Sequence, residues 1–210
     1  SFGEKITYKV RYNMHFNLNV GEVTFEVKPN AEKVAGKDCY HVVAEGKTYP
    51  FYDPFFKVRD KYETYIEKQS ILPFVFIRNI MEGGFKTNQY VVFNHYKDMA
   101  KSTKKIKKIP DNTQDMLSAL YYSRTLDFSK AVKGQAFYMT TYIDDSAYKV
   151  GMKYMVVEFW QVYVAPVMEG LGGVLIKIFS TSESLHPAAF VSYTTTNPVP
   201  GVVPHLTVML

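Results

Sequence analysis

Apolar and polar positions alternate through most of the chain. In KITYKVRY, Ile6, Tyr8, Val10 and Tyr12 fall on one side, and Thr7, Lys9 and Arg11 on the other. GEVTFEV repeats the pattern, setting Val23, Phe25 and Val27 against Glu22, Thr24 and Glu26. A period of two sends successive side chains to opposite faces of a strand, so each segment predicts a strand with one buried face. Further strands are predicted over residues 39–45, 55–67, 74–81, 85–94, 99–109, 135–143, 152–164, 174–181 and 190–196. Turn signals separate them at Pro29-Asn30, Gly36-Lys37-Asp38, Gly83-Gly84, Asp144-Asp145 and Gly172-Gly173.

One segment carries helical spacing instead. In DNTQDMLSALYYSRTL, Leu117, Leu120, Tyr121 and Arg124 recur three and four apart behind a cluster of capping residues, and Pro110 closes the preceding strand. A short helix is predicted near residues 113–125. The fold class that follows is all-β, mainly antiparallel: a strongly curved sheet, half-barrel or sandwich with that one helix. At 210 residues, 47% hydrophobic and 16% aromatic, the chain can build one large core, and residues 1–210 read as a single β-rich domain. No repeat and no low-complexity linker divides it.

Charge changes the picture in two places. The chain is charge-rich over residues 1–150, but beyond them only Lys153, Glu158, Glu169, Lys177 and Glu183 are charged. The charge-poor stretch 151–210 reads first as buried within the same domain, and second as a face covered by a partner. In KSTKKIKKIP, Lys101, Lys104, Lys105, Lys107 and Lys108 are candidates for contact with an anionic surface. Alternation puts Lys104 and Lys108 on one face with Ile106, and Lys101, Lys105 and Lys107 on the other. A solvated edge strand is the first reading, since lysines discourage edge-to-edge pairing. Anionic lipid is second and nucleic acid last, although the net charge of +5 permits each.

Motifs that carry chemistry are absent or incomplete. No Gly-x-Ser-x-Gly occurs to hold a nucleophile on a strained turn. Gly46-Lys47-Thr48 lacks the upstream glycine of a phosphate loop and runs into Tyr49-Pro50 rather than a helix. Gly170, Gly172 and Gly173 read as a hairpin turn. Cys39 is the single cysteine and shares a strand face with His41, but two ligands do not make a metal site. Acidic pairs such as Asp53 with Asp60, or Asp144 with Asp145, suit acid/base work only if the fold converges them in a cleft. The expectation is therefore no catalytic residue, no metal and no cofactor. No apolar run reaches the length of a membrane span. The chain starts at Ser1, which suggests an upstream segment has been removed.

YPFYDPFF, residues 49–56, concentrates five aromatic rings, two prolines and one aspartate. Pro50 and Pro54 cannot donate to a ladder and push the residues before them toward extended conformations, which predicts a bent connection. Its rings either plug an open end of the sheet or line the mouth of an apolar cavity. A membrane wedge ranks third, because Asp53 and Asp60 would oppose insertion. For the cavity reading, the candidate ligand-binding residues are Tyr49, Phe51, Tyr52, Phe55, Phe56, Phe74 and Phe76.

The order of GEKITYKVRYN, VGEVTFEV, FYDPFFKVRDKYETYIEK, LPFVFIRNIMEGGF, DMLSALYYSR and DDSAYKVGMKY resembles the exported bacterial proteins of domain of unknown function 3108, over about residues 3–154. The resemblance implies a β-rich, extracytoplasmic protein of Gram-negative bacteria, periplasmic or associated with the outer membrane, and brings no established activity. Three functions follow as expectations. The first is a non-enzymatic binding module for a lipid or other apolar small molecule. The second is an interaction subunit held by other envelope proteins, and the third a carboxylate-based glycan hydrolase.

Overall fold

The computed structural model describes residues 2–13, 17–157, 161–168, 174–176 and 193–195. Nine strands form one sheet: β1 (Lys5–Asn13), β2 (Asn17–Val27), β3 (Glu32–Val34), β4 (Lys37–Thr48), β5 (Arg59–Glu67), β6 (Pro73–Glu82), β7 (Phe85–Asn94), β8 (Met99–Ser102) and β9 (Ile106–Lys108). Their order is β1-β2-β4-β5-β6-β7-β8-β9, and β3 pairs with the start of β4 beyond the point where β2 ends. Every pairing is antiparallel. The sheet is open, since β1 and β9 at its two ends do not meet.

The helix α1 (Met116–Ser123) follows, then β10 (Ala136–Ile143), β11 (Ser146–Val157) and β12 (Gln161–Met168) in a three-stranded sheet. The last described strands, β13 (Val174–Ile176) and β14 (Tyr193–Thr195), pair with each other. The described residues thus form a mainly antiparallel β protein with one short helix, the class that the alternation predicts.

Helix α1 starts where its cap is built. Asp115 accepts the backbone N–H of Leu117 at 2.7 Å and of Ser118 at 2.9 Å, while the Ser118 hydroxyl accepts the Asp115 N–H at 2.8 Å. This reciprocal arrangement satisfies orphan donors of the first turn. Thr64 of β5 adds a hydrogen bond to the same carboxylate at 2.5 Å, tying the helix to the sheet. Leu117 then joins Ala44, Phe76, Val91, Phe93, Ala100, Ile109 and Tyr142 in the main core cluster. One face of the sheet is therefore covered by α1 and β10.

Two predicted strands divide in the structure. Residues 99–109 form the hairpin β8 and β9, because the Ser102 hydroxyl accepts the N–H groups of Lys104 and Lys105 and closes a turn. Residues 152–164 are split between β11 and β12, and β11 begins earlier, straight after the Asp144-Asp145 turn. Strand β5 starts only at Arg59, since residues 50–55 are turns. Gly172-Gly173 and much of 174–181 and 190–196 lie outside the described residues.

Candidate functional site at one end of the sheet

The YPFYDPFF connection between β4 and β5 is a series of tight turns. Tyr52 N–H donates to the Tyr49 carbonyl at 2.9 Å, and the N–H groups of Phe55 and Phe56 both donate to the Tyr52 carbonyl at 3.0 Å. Asp53 locks the turns to the sheet. Its carboxylate accepts the Thr48 hydroxyl at 2.6 Å and two guanidinium bonds from Arg59, at 3.1 Å and 2.6 Å. A bidentate arginine fixes orientation as well as charge. The same Arg59 hydrogen bonds hold the Asp53 carboxyl below the usual range.

With the carboxylate turned inward, the rings turn outward. Phe51 is 76% exposed and Phe55 80%, while Tyr49 and Tyr52 are half-buried. Phe51 meets Tyr52 edge-on at 5.1 Å. Phe56, 45% exposed, lies over the β6–β7 turn, where a Cβ added at Gly83 would come within 2.9 Å of its ring. Phe85 on the far side of that turn is also exposed. Beneath the loop, Val10, Val20, Gly21, Val23 and Val58 line a recess of about 10 Å³, the space of one water. A lipid chain does not fit in it.

The seven aromatic candidates separate into two groups. Tyr49, Phe51, Tyr52, Phe55 and Phe56 share the loop. Phe76 is 2% exposed in the main core, and Phe74 sits at the opposite end of β6 from the loop, 6.5 Å from His95. Strand alternation explains Phe76, whose register against Thr64 sets it on the covered face. Of the basic candidates, Lys101 lies on β8, Lys104 and Lys105 on the turn, and Lys107 and Lys108 on β9 at the end of the sheet. All five are exposed.

The acids form groups that spacing alone does not reveal. Asp53 and Asp60 do not meet. Asp60 is buried beside Glu82, where burial, with the Glu82 carboxylate adding, pushes its carboxyl up to about 7. Its Oδ1 accepts the Met81 N–H at 3.0 Å. The two carboxyls are in hydrogen-bonding contact, closer than the roughly 5 to 9.5 Å separation of glycosidase pairs. Asp144 and Asp145 do form a turn, and it reaches across to the sheet: Arg78 donates to Asp144, and Gln89 to Asp145 at 3.2 Å. His41 shares its face with Cys39, and its ring nitrogens lie 2.8 Å from Glu32 and 2.9 Å from Glu63, with Tyr65 stacked on the ring. Among the described residues no three His, Cys, Asp or Glu are placed to hold a metal ion. Among them, too, no helix is long and apolar enough to cross a membrane.

Comparison with known families adds one decisive match. The model of the family described as Protein of unknown function (DUF3108) matches residues 7–167. The chain belongs to this family. No curated protein and no solved structure matches the chain. Membership in DUF3108 extends across β1 to most of β12, so the aromatic loop lies well inside the family's own domain. The stretch that motivates the interaction-subunit reading, 151–210, lies largely outside the described residues.

Proposed function

We propose that the protein is a non-enzymatic binding module for a lipid or other apolar partner at the bacterial envelope, and that it takes this partner on the outside of the 49–56 loop. The observation that carries the reading is the pair Phe51 and Phe55, both more than three-quarters exposed on a loop whose geometry is fixed by Asp53, Thr48 and Arg59. Rings held out by a rigid loop keep their water contact in the free protein, and burying each against an apolar partner contributes roughly 1.5–3 kcal/mol. Because the loop is already ordered, little further conformational entropy is lost on contact.

A neutral apolar probe tests this. Zwitterionic dodecylphosphocholine micelles are expected to shift or broaden the NMR signals of residues 49–58 in the wild type and to leave them unchanged in Phe51→Ser/Phe55→Ser. A wild-type spectrum indifferent to micelles, or a response centred elsewhere, overturns the reading.

A further inference from the structure

We infer that this end of the sheet docks on an anionic lipid bilayer, with Phe51 and Phe55 entering the interface and lysines around them facing lipid phosphate. The inference rests on the apolar-binding reading and names the surface that satisfies it.

Besides the β1–β2 hairpin, antiparallel connectivity places three connections at this end of the sheet: β4–β5 with the aromatic loop, β6–β7 at Gly83-Gly84, and β8–β9 at residues 103–105. Their charges have one sign at the surface. Lys57, Lys86, Lys104 and Lys105 are exposed. The acids nearest these connections are each engaged: Asp53 is bound by Arg59, the half-exposed Glu22 is paired with Lys47 at 2.9 Å, and Glu82 is buried against Asp60. The objection that acids would oppose insertion thus fails on geometry. Asp144, the exposed acid on the neighbouring hairpin, is paired with Arg78 four residues back from Glu82. The opposite end of the sheet differs, with Glu32, Asp38, Glu67 and Asp98 interleaved among Lys33, Lys37, Lys68 and Lys97, and Lys37 paired with Glu67 at 3.2 Å.

The depths of these groups also fit a soft surface. Lys57 directly follows Phe56, and Lys86 directly follows Phe85 at the start of β7. Lys86 is level with Met81 on β6, whereas the β8–β9 turn is level with Tyr90. That turn is set back about 13 Å along the strands and lies about 19 Å across the sheet from the loop. A tilted approach brings both levels to one plane, with rings at the headgroup boundary and lysines at the phosphates. A protein partner would need a pocket for two protruding rings and acids at two separate depths, whereas a bilayer supplies both without a fixed shape.

Flotation with phosphatidylcholine vesicles, and with vesicles containing one part in three phosphatidylglycerol, tests the assignment. The wild type is expected to bind the anionic vesicles at least about tenfold more strongly, and to lose this preference in high salt. Lys57→Gln/Lys86→Gln is expected to reduce binding to anionic vesicles by about tenfold or more, each exposed lysine being worth about fivefold. Lys33→Gln/Lys97→Gln, with the same change of charge at the other end, is expected to bind as the wild type does. Equal losses in the two double variants overturn the end-on assignment. Micelle contact at residues 49–58 without preference for anionic vesicles overturns this inference and leaves the apolar-binding reading standing, whereas no response to micelles or vesicles overturns both. Retention on an anionic polymer such as heparin or single-stranded nucleic acid, without vesicle binding, also overturns it.

Discussion

Three aspartates show how far one residue type is reshaped by its surroundings. Asp53 is ion-paired with Arg59 and its carboxyl is held low, so it is an anchor for the aromatic loop. Asp115 is fully buried under the helix, and desolvation pushes its carboxyl up to about 6 despite hydrogen bonds from Thr64, Leu117 and Ser118. Asp60 is pushed up to about 7, chiefly by burial. A carboxyl raised in the folded state binds its proton more tightly than in the unfolded chain, so its stability contribution is complete below about pH 4 and is lost as pH rises through about 7. Asp60→Asn keeps the acceptor for the Met81 N–H and removes this ionisation. The variant is expected to be more stable than the wild type at pH 8, by up to about 4 kcal/mol, with the difference shrinking toward pH 4 in chemical denaturation. Identical pH slopes for the two proteins would show that Asp60 titrates normally.

At the scale of elements, the strands follow alternation but their ends follow local hydrogen bonds and backbone contacts. The β8–β9 turn exists because the Ser102 hydroxyl captures two N–H groups, a competition that lysine spacing does not display. The register between β1 and β2 shifts after Val10, opposite Gly21. At Gly21 an added Cβ would lie 2.4 Å from the Lys47 carbonyl oxygen, a backbone atom that cannot move without parting β2 from β4. Gly21→Ala is expected to cost about 2–3 kcal/mol in urea denaturation. A change below about 0.5 kcal/mol would mean that the strands relax apart freely. Alternation does not divide the two aromatics of β6; position along the strand does, with Phe76 buried in the main core and Phe74 beside His95 at the far end. Residues two apart share a face, yet proximity to the loop depends on which end of the strand they occupy.

Across the whole molecule, one core cluster joins β4, β6, β7, β8, α1 and β10. Leu117 is the helix's contribution to it, 6% exposed. Leu117→Ala is expected to cost about 2–5 kcal/mol and to lower the single unfolding transition as a unit. Melting of α1 and β10 alone, with the nine-stranded sheet intact, would show that the cluster does not couple them. The strand class, the position of helix α1 and the bent aromatic connection were determined by the sequence itself, because side-chain period, capping residues and proline chemistry act within a few residues. Partnership across the fold was decided only by tertiary structure. Nothing near Asp60 in sequence announces Glu82, and nothing near Arg78 announces Asp144, since these contacts arise from strand register and from a hairpin laid across the sheet. The outward turn of Phe51 and Phe55 belongs to the same class. The sequence supplies the rings and prolines, but their exposure depends on an inward carboxylate held by Arg59 on the next strand, a constraint that composition and periodicity do not contain.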